Sequence, residues 1–209
     1  MSATCFIAGA APGGSVPFSP GAGDLVIAAD GGYAHLISLG ISPDVVIGDF
    51  DSLGFVPSHA NVLPYPKEKD DTDMMLAIRY GLGKGYRSFE LYGGLGGELS
   101  HTLANIQALT FLARRGARGT LVGRDARATV ICSGHVAFDA AQRGMISLFA
   151  LDEEVQGVTL EGLEYPLSGA TLTNAFPLGV SNAFTGEKSA VSVRKGALLI
   201  LWEQSSRNG

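Results

Sequence analysis

The chain has 209 residues, 46% of them hydrophobic and only 17% charged, which excludes a disordered tether and allows a packed core. Its 15 basic and 20 acidic residues leave a formal net charge of -5, with no basic cluster beyond Arg114-Arg115, and this argues against a nucleic-acid binder. Apolar runs such as 196–202 fall far short of the ~20 residues that span a bilayer, and no basic stretch precedes an apolar one near Met1, so the expectation is a cytoplasmic protein that touches no membrane.

Sparse charge also implies that part of the surface is covered by a partner, such as a second copy of the chain. The 29 glycines point to tight turns and to loops where backbone approaches a ligand closely. The two cysteines, Cys5 and Cys132, each sit in an apolar run and read as buried free thiols.

In chain order, apolar runs predict strands over 4–8, 24–29, 44–47, 88–92, 120–123 and 129–132. Between them, helical patterns cover 33–39, 71–82 and 99–115, the second with an apolar stripe of Met74, Met75, Ile78 and Leu82. The third carries Leu99, Leu103, Ile106, Thr110 and Ala113 as its stripe. This alternation predicts an α/β domain with a mainly parallel, Rossmann-like sheet over residues 1–132. Short runs at 145–151, 157–160, 170–172, 190–193 and 197–202, punctuated by Gly, Pro, Asn and Ser, predict a small all-β sandwich over 136–209.

Acid placement is the most informative feature. Seven acidic residues fall between Asp44 and Asp73, against the two lysines Lys67 and Lys69. Asp49 and Asp51 follow an apolar run in Gly48-Asp49-Phe50-Asp51-Ser52, and residues two apart on an extended strand project the same way. Such a carboxylate pair suits a hard cation like Mg²⁺, although Asp, Gly and Ser also suit a plain turn. Lys69-Asp70-Asp71-Thr72-Asp73 opens a helix, where one capping residue suffices; the surplus acids point to a ligand.

Tyr92-Gly93-Gly94-Leu95-Gly96-Gly97 joins a strand to a helix, a place where backbone N–H groups meet an anion or where the chain simply turns. Ala29-Asp30-Gly31-Gly32 is a similar junction, and His101 and Asn105 share one helix face. The dinucleotide and Walker glycine patterns are both absent, as are a nucleophile elbow and a zinc spacing.

Taken in this order, these segments resemble the thiamine pyrophosphokinase family. The resemblance is carried by Ala29-Asp30-Gly31-Gly32, Gly48-Asp49-Phe50-Asp51-Ser52, Lys69-Asp70-Asp71-Thr72-Asp73, Gly93-Gly94-Leu95-Gly96-Gly97 and His101-Thr102-Leu103-Ala104-Asn105. It continues through Gly162-Leu163-Glu164-Tyr165-Pro166-Leu167 and Gly179-Val180-Ser181-Asn182, spanning the chain from about residue 26 onward.

It implies pyrophosphoryl transfer from ATP to thiamine with Mg²⁺, by a homodimer with thiamine at the subunit interface. By motif, Asp49, Asp51 and Asp73 would be the catalytic, metal-centred carboxylates. Asp30, Gly31, Asp71 and Thr72 would face the nucleotide or its phosphates, with Gly94, Gly96, Gly97, His101 and Asn105. Ser181 and Asn182 would contact the aminopyrimidine, and Tyr165 or Phe184 would stack on a ring. Three positions depart from the family pattern. Glu98 and Ser100 stand where bacterial members carry arginine and aspartate, and Ala183 where they carry glutamate. A non-catalytic sensor of the same fold, or a kinase for another small alcohol, are the alternatives these departures leave open.

Overall fold

The computed structural model describes residues 3–11, 17–51, 53–66, 68 and 70–203. Ser52, Lys67 and Lys69 of the acidic segment lie outside the described residues. Contacts divide the described chain into two compact units. One runs to Leu112 and adds Gly116–Arg124; the other joins Ala113–Arg115 to the residues from Asp125 onward.

The first unit contains β1 (Thr4–Ala8), β2 (Leu25–Ala29), α1 (Gly32–Ser38), β3 (Val45–Gly48), β4 (Val62–Pro64), α2 (Asp73–Gly83), β5 (Ser88–Tyr92), α3 (Leu99–Ala113) and β6 (Arg118–Val122). Its six strands are all parallel, in the order β6-β5-β1-β2-β3-β4. Parallel strands need a crossover, and burial on both faces explains why β2 and β3 read as near-continuous Leu/Val/Ile/Ala runs. On one face Ala8, Val26, Ala28, Val46 and Phe50 form a core with Leu36 of α1. On the other, α2 approaches so closely that a Cβ on Gly81 would lie 2.7 Å from the Phe89 ring and 2.8 Å from Cys5 Sγ.

The two long helices differ from the pattern reading. In α2 the buried residues are Met74, Ala77, Ile78 and Gly81; Met75 and Leu82 are only partly buried. In α3 the expected stripe is displaced: Leu99 is 72% and Leu103 54% exposed, while Asn105, Ala108, Leu109 and Leu112 face inward. Apolar residues occur on every side of this helix, interleaved with Ser100, His101, Thr102, Asn105, Gln107 and Thr110, so periodicity does not choose a face. Leu109 and Leu112 pack over Gly119, whose bare backbone lets them seat within 2.8 Å of where a Cβ would be.

The second unit contains β7 (Ala126–Ile131), β8 (Gly134–Phe138), β9 (Met145–Ala150), β10 (Glu154–Glu161), β11 (Leu167–Thr173), β12 (Asn182–Ala183), β13 (Ser189–Val193) and β14 (Leu198–Glu203). These pair antiparallel as β12-β9-β14-β7 and as β11-β10-β13-β8. Inward residues of both sets, among them Ile146, Leu148, Val158, Val191 and Ile200, make one core. The strand expected at 129–132 pairs here, β7 with β14 from Ala126↔Glu203 to Ile131↔Leu198, so the units divide after Arg124 rather than within 132–136.

Candidate active site

In the first unit the strand order reverses between β1 and β5, and a ligand crevice forms at the carboxyl ends of parallel strands beside such a reversal. Gly9-Ala10-Ala11 leaves β1 at this point and Gly93 leaves β5. Gly93 has a φ of 62°, and a Cβ there would lie 2.2 Å from the Gly9 carbonyl oxygen. A Cβ on Gly9 would in turn lie 2.9 Å from the Gly93 oxygen, so the two loops meet backbone to backbone. The Gly9 N–H donates to Tyr92 O at 2.8 Å and the Ala11 N–H to Gly93 O at 3.1 Å, holding the loops in register.

Beside these loops lies a cavity of about 360 Å³, lined also by Ala29, Asp30, Thr72, Asp73, Gly96, Gly97, Glu98, His101 and Asn105. That volume suits a small ligand. A larger hollow of about 640 Å³ opens at the amino edge of the same sheet, lined by Lys84, Arg87 and Arg118. Its cations stand near the carboxyl ends of α2 and α3, where positive charge complements the helix dipoles.

Three carboxylates converge beside the cavity: oxygens of Asp30, Asp49 and Asp51 all lie within 4.8 Å of one another. Asp30 continues the β2 ladder, its N–H bonded to Ile47 O at 2.8 Å, and then turns with a φ of 48°. Gly48 makes room beside it, since a Cβ there would sit 3.1 Å from Asp30 Cα. Asp49 and Asp51 do not share a strand face, as the spacing suggested. β3 ends at Gly48, Phe50 turns with a φ of 61° into the α1 core, and the Asp51 N–H donates to Asp49 Oδ1 at 3.2 Å. The turn and the carboxylate pair are one object: burying Phe50 places its neighbours together. Three hard oxygen donors so arranged fit a Mg²⁺ ion.

The other expected groups separate. Thr72 caps α2, its Oγ1 accepting from the Met75 N–H at 3.2 Å, and lines the cavity with Asp73. Asp71 does not line it; it pairs with Arg79 at 2.9 Å, and that guanidinium lies over the Phe111 ring. Gly31 caps α1, next to the lining rather than in it. His101 and Asn105 both reach the cavity, and Asn105 also donates through Nδ2 to Gly94 O at 3.0 Å, pinning the glycine loop. Gly94 is thus behind the lining, while Gly96 and Gly97 are part of it. Glu98 also lines the cavity, with its side chain 80% exposed and an oxygen 3.8 Å from His101 Nε2. The Gly9-Ala10-Ala11 segment escaped the sequence reading. Its signal was the same strand-to-glycine junction that marked Asp30 and Gly93.

In the second unit Tyr165 is 61% exposed. Ser181 is exposed with a φ of 62°, and its N–H donates to Ser147 Oγ at 3.2 Å. Phe184 is not a free stacking surface. It is buried in the core, edge-on to Phe138 at 5.1 Å, because its pairing with Leu163 turns the side chain inward. Asn182 is 4% exposed, and its amide is bonded to backbone: Oδ1 accepts from the Tyr165 and Ala183 N–H groups, and Nδ2 donates to Tyr165 O.

Two family models match in succession: thiamin pyrophosphokinase, catalytic domain, over residues 22–120, and thiamin pyrophosphokinase, vitamin B1 binding domain, over residues 135–198. The chain belongs to the thiamine pyrophosphokinase family. A thiamine pyrophosphokinase of Bacillus subtilis (strain 168) is 29% identical over 184 residues, 85% of this chain and 86% of the relative. The crystal structure of the thiamine pyrophosphokinase from Bacillus subtilis superimposes with a TM-score of 0.85 at 25% identity, covering 97% of this chain and 99% of that one. The family member from Geobacillus thermodenitrificans gives a TM-score of 0.81 at 27% identity, covering 98% and 99%.

Proposed function

We propose that this chain transfers a pyrophosphoryl group from ATP to the hydroxyethyl oxygen of thiamine, releasing thiamine diphosphate and AMP. The observation that carries this reading is the succession of two family matches, one catalytic and one for vitamin B1. In this reading the Rossmann-like first unit holds ATP and the second, a β-sandwich, holds thiamine. The protein works in the cytoplasm as a homodimer with thiamine at the subunit interface.

The polyphosphate lies along Gly9, Gly93, Gly96 and Gly97, where bare backbone permits close approach. Asp30, Asp49 and Asp51, whose oxygens converge, would hold Mg²⁺ together with Asp73, which lines the cavity from the first turn of α2. Bound there, Mg²⁺ would supply positive charge against the triphosphate. Thr72, His101 and Asn105 border the nucleotide, and Tyr165 offers its ring to the cationic heterocycle while Ser181 offers its hydroxyl. The thiamine oxygen bonds to the β-phosphorus as the bond from that phosphorus to the α–β bridging oxygen breaks. The electron pair leaves with AMP, and the hydroxyl proton passes to solvent. What the chain supplies is positioning and electrostatics rather than a covalent intermediate.

The test is product analysis of the purified protein with ATP, Mg²⁺ and thiamine. Thiamine diphosphate and AMP are expected in equal amounts, and both are lost when Mg²⁺ is chelated. Glu98 favours a second reading, because it puts a carboxylate where the family pattern carries a phosphate-facing arginine. Thiamine binding by calorimetry with no product would replace the enzyme with a sensor.

A further inference from the structure

We infer that Asn182 is a positioning residue which acts on thiamine recognition through Tyr165, by clamping its backbone, rather than by touching the substrate. The inference rests on the reading above, in which Tyr165 meets the thiamine ring. Asn182 Oδ1 accepts the Tyr165 N–H at 3.0 Å, and Nδ2 donates to the Tyr165 carbonyl at 2.7 Å. The amide thereby reproduces with its side chain the paired bonds that one strand residue offers another. Oδ1 also takes the Ala183 N–H at 2.8 Å, which leaves one amide hydrogen uncommitted on a side chain that is 4% exposed. Reversing the amide would set donor against donor and acceptor against acceptor, so its orientation is fixed.

The clamp finishes a short pairing. Leu163 bridges Phe184, the Glu164 N–H donates to Ala183 O at 3.0 Å, and Asn182 takes over at Tyr165, where the backbone ladder stops. Leu163 and Phe184 are buried and anchor this pairing in the core, whereas the Tyr165 ring projects 61% exposed. Pro166 follows, so Tyr165 is held on one side by a ring-restricted neighbour and on the other by Asn182. Without the clamp the ring keeps its chemistry but loses its fixed place.

A double-substitution cycle tests this, with thiamine affinity by calorimetry and separate KM values for thiamine and ATP, all on the intact chain. Tyr165→Ala and Asn182→Ala should each weaken thiamine binding by roughly tenfold, as expected for one ring contact to a cation. KM for ATP should hold. The double variant should bind no more weakly than Tyr165→Ala alone, since the clamp then has nothing to position. Asn182→Asp, which keeps the volume and the acceptor but loses the Nδ2 donor, serves if the alanine variant does not fold, and should show the same dependence on Tyr165. A double variant weakened by the product of the two single effects would show that Asn182 has its own contact, and overturn the inference. So would an Asn182 variant with unchanged thiamine affinity. If Tyr165→Ala changes nothing while the native chain still makes thiamine diphosphate, the inference fails and the enzyme stands. If the native chain neither binds thiamine nor makes product, the proposed function fails first.

Discussion

At the scale of single residues, the acids divide by what they touch. Asp71 is spent on Arg79, while Asp30, Asp49 and Asp51 face one another at the end of two strands. Replacing Asp51 by Asn should therefore lower transfer by roughly a hundredfold or more, with an unchanged circular dichroism spectrum. Asp71→Asn should leave turnover near normal and be felt in the melting temperature. Comparable activity in the two variants would contradict the division. Motif and spacing singled out Asp49 and Asp51, which share one turn, but grouped Asp73 with them and set Asp30 apart, whereas the acids that converge are Asp30, Asp49 and Asp51. They could not say that Asp71 would be claimed by an arginine two turns along, nor that Asn182 would bind backwards to Tyr165. Those are facts of partners distant in sequence. Cys5 gives a separate check. Burial, with the nearby Asp44 carboxylate, pushes its thiol up to about 12. A thiol that ionises later in the folded chain than in the unfolded one leaves stability intact below the unfolded pKa near 9, and stability then falls as pH rises toward 12. Melting temperatures measured from pH 8 to 11 should drop more steeply for the native chain than for Cys5→Ala.

At the scale of elements, the glycine junctions order the first unit. Gly93→Ala meets both a left-handed backbone and the Gly9 carbonyl, whereas Gly85→Ala, with a φ of 93°, meets open space. The second should cost about 1 kcal/mol and the first at least about twice that, a difference that thermal melts of the two variants read directly. A Gly93→Ala protein as stable as Gly85→Ala would refute the backbone-to-backbone account. The strands of this unit were readable because burial on both faces makes a continuous apolar run. The face of α3 was not: its outward Leu99 and Leu103 are as apolar as its inward Leu109 and Leu112, which pack over Gly119 on a strand that follows. The Gly9 loop was missed for the same reason, since its meaning depends on β5 lying beside β1.

For the whole molecule, low charge and outward apolar side chains belong together. Leu99, Leu103, Phe176 and Leu178 are all more than half exposed, a load that a second copy of the chain would relieve. Light scattering at micromolar concentration is expected to give twice the chain mass, and dilution to the monomer to cost activity; a fully active monomer would remove the subunit interface from the proposal. The two-part division was visible as a change of texture along the chain, although the strand from Ala126 to Ile131 shows that texture cannot tell which sheet a run will join. The meeting of Gly9 and Gly93 has a further bearing on how such a protein can diverge. Where two main chains touch, the width of the gap is a constant of peptide geometry, and no exchange of side chains can widen or narrow it. Substitution can therefore reshape this cavity through the side chains that line it, among them Asp30, Thr72, Asp73, Glu98, His101 and Asn105, while the Gly9–Gly93 contact keeps its width.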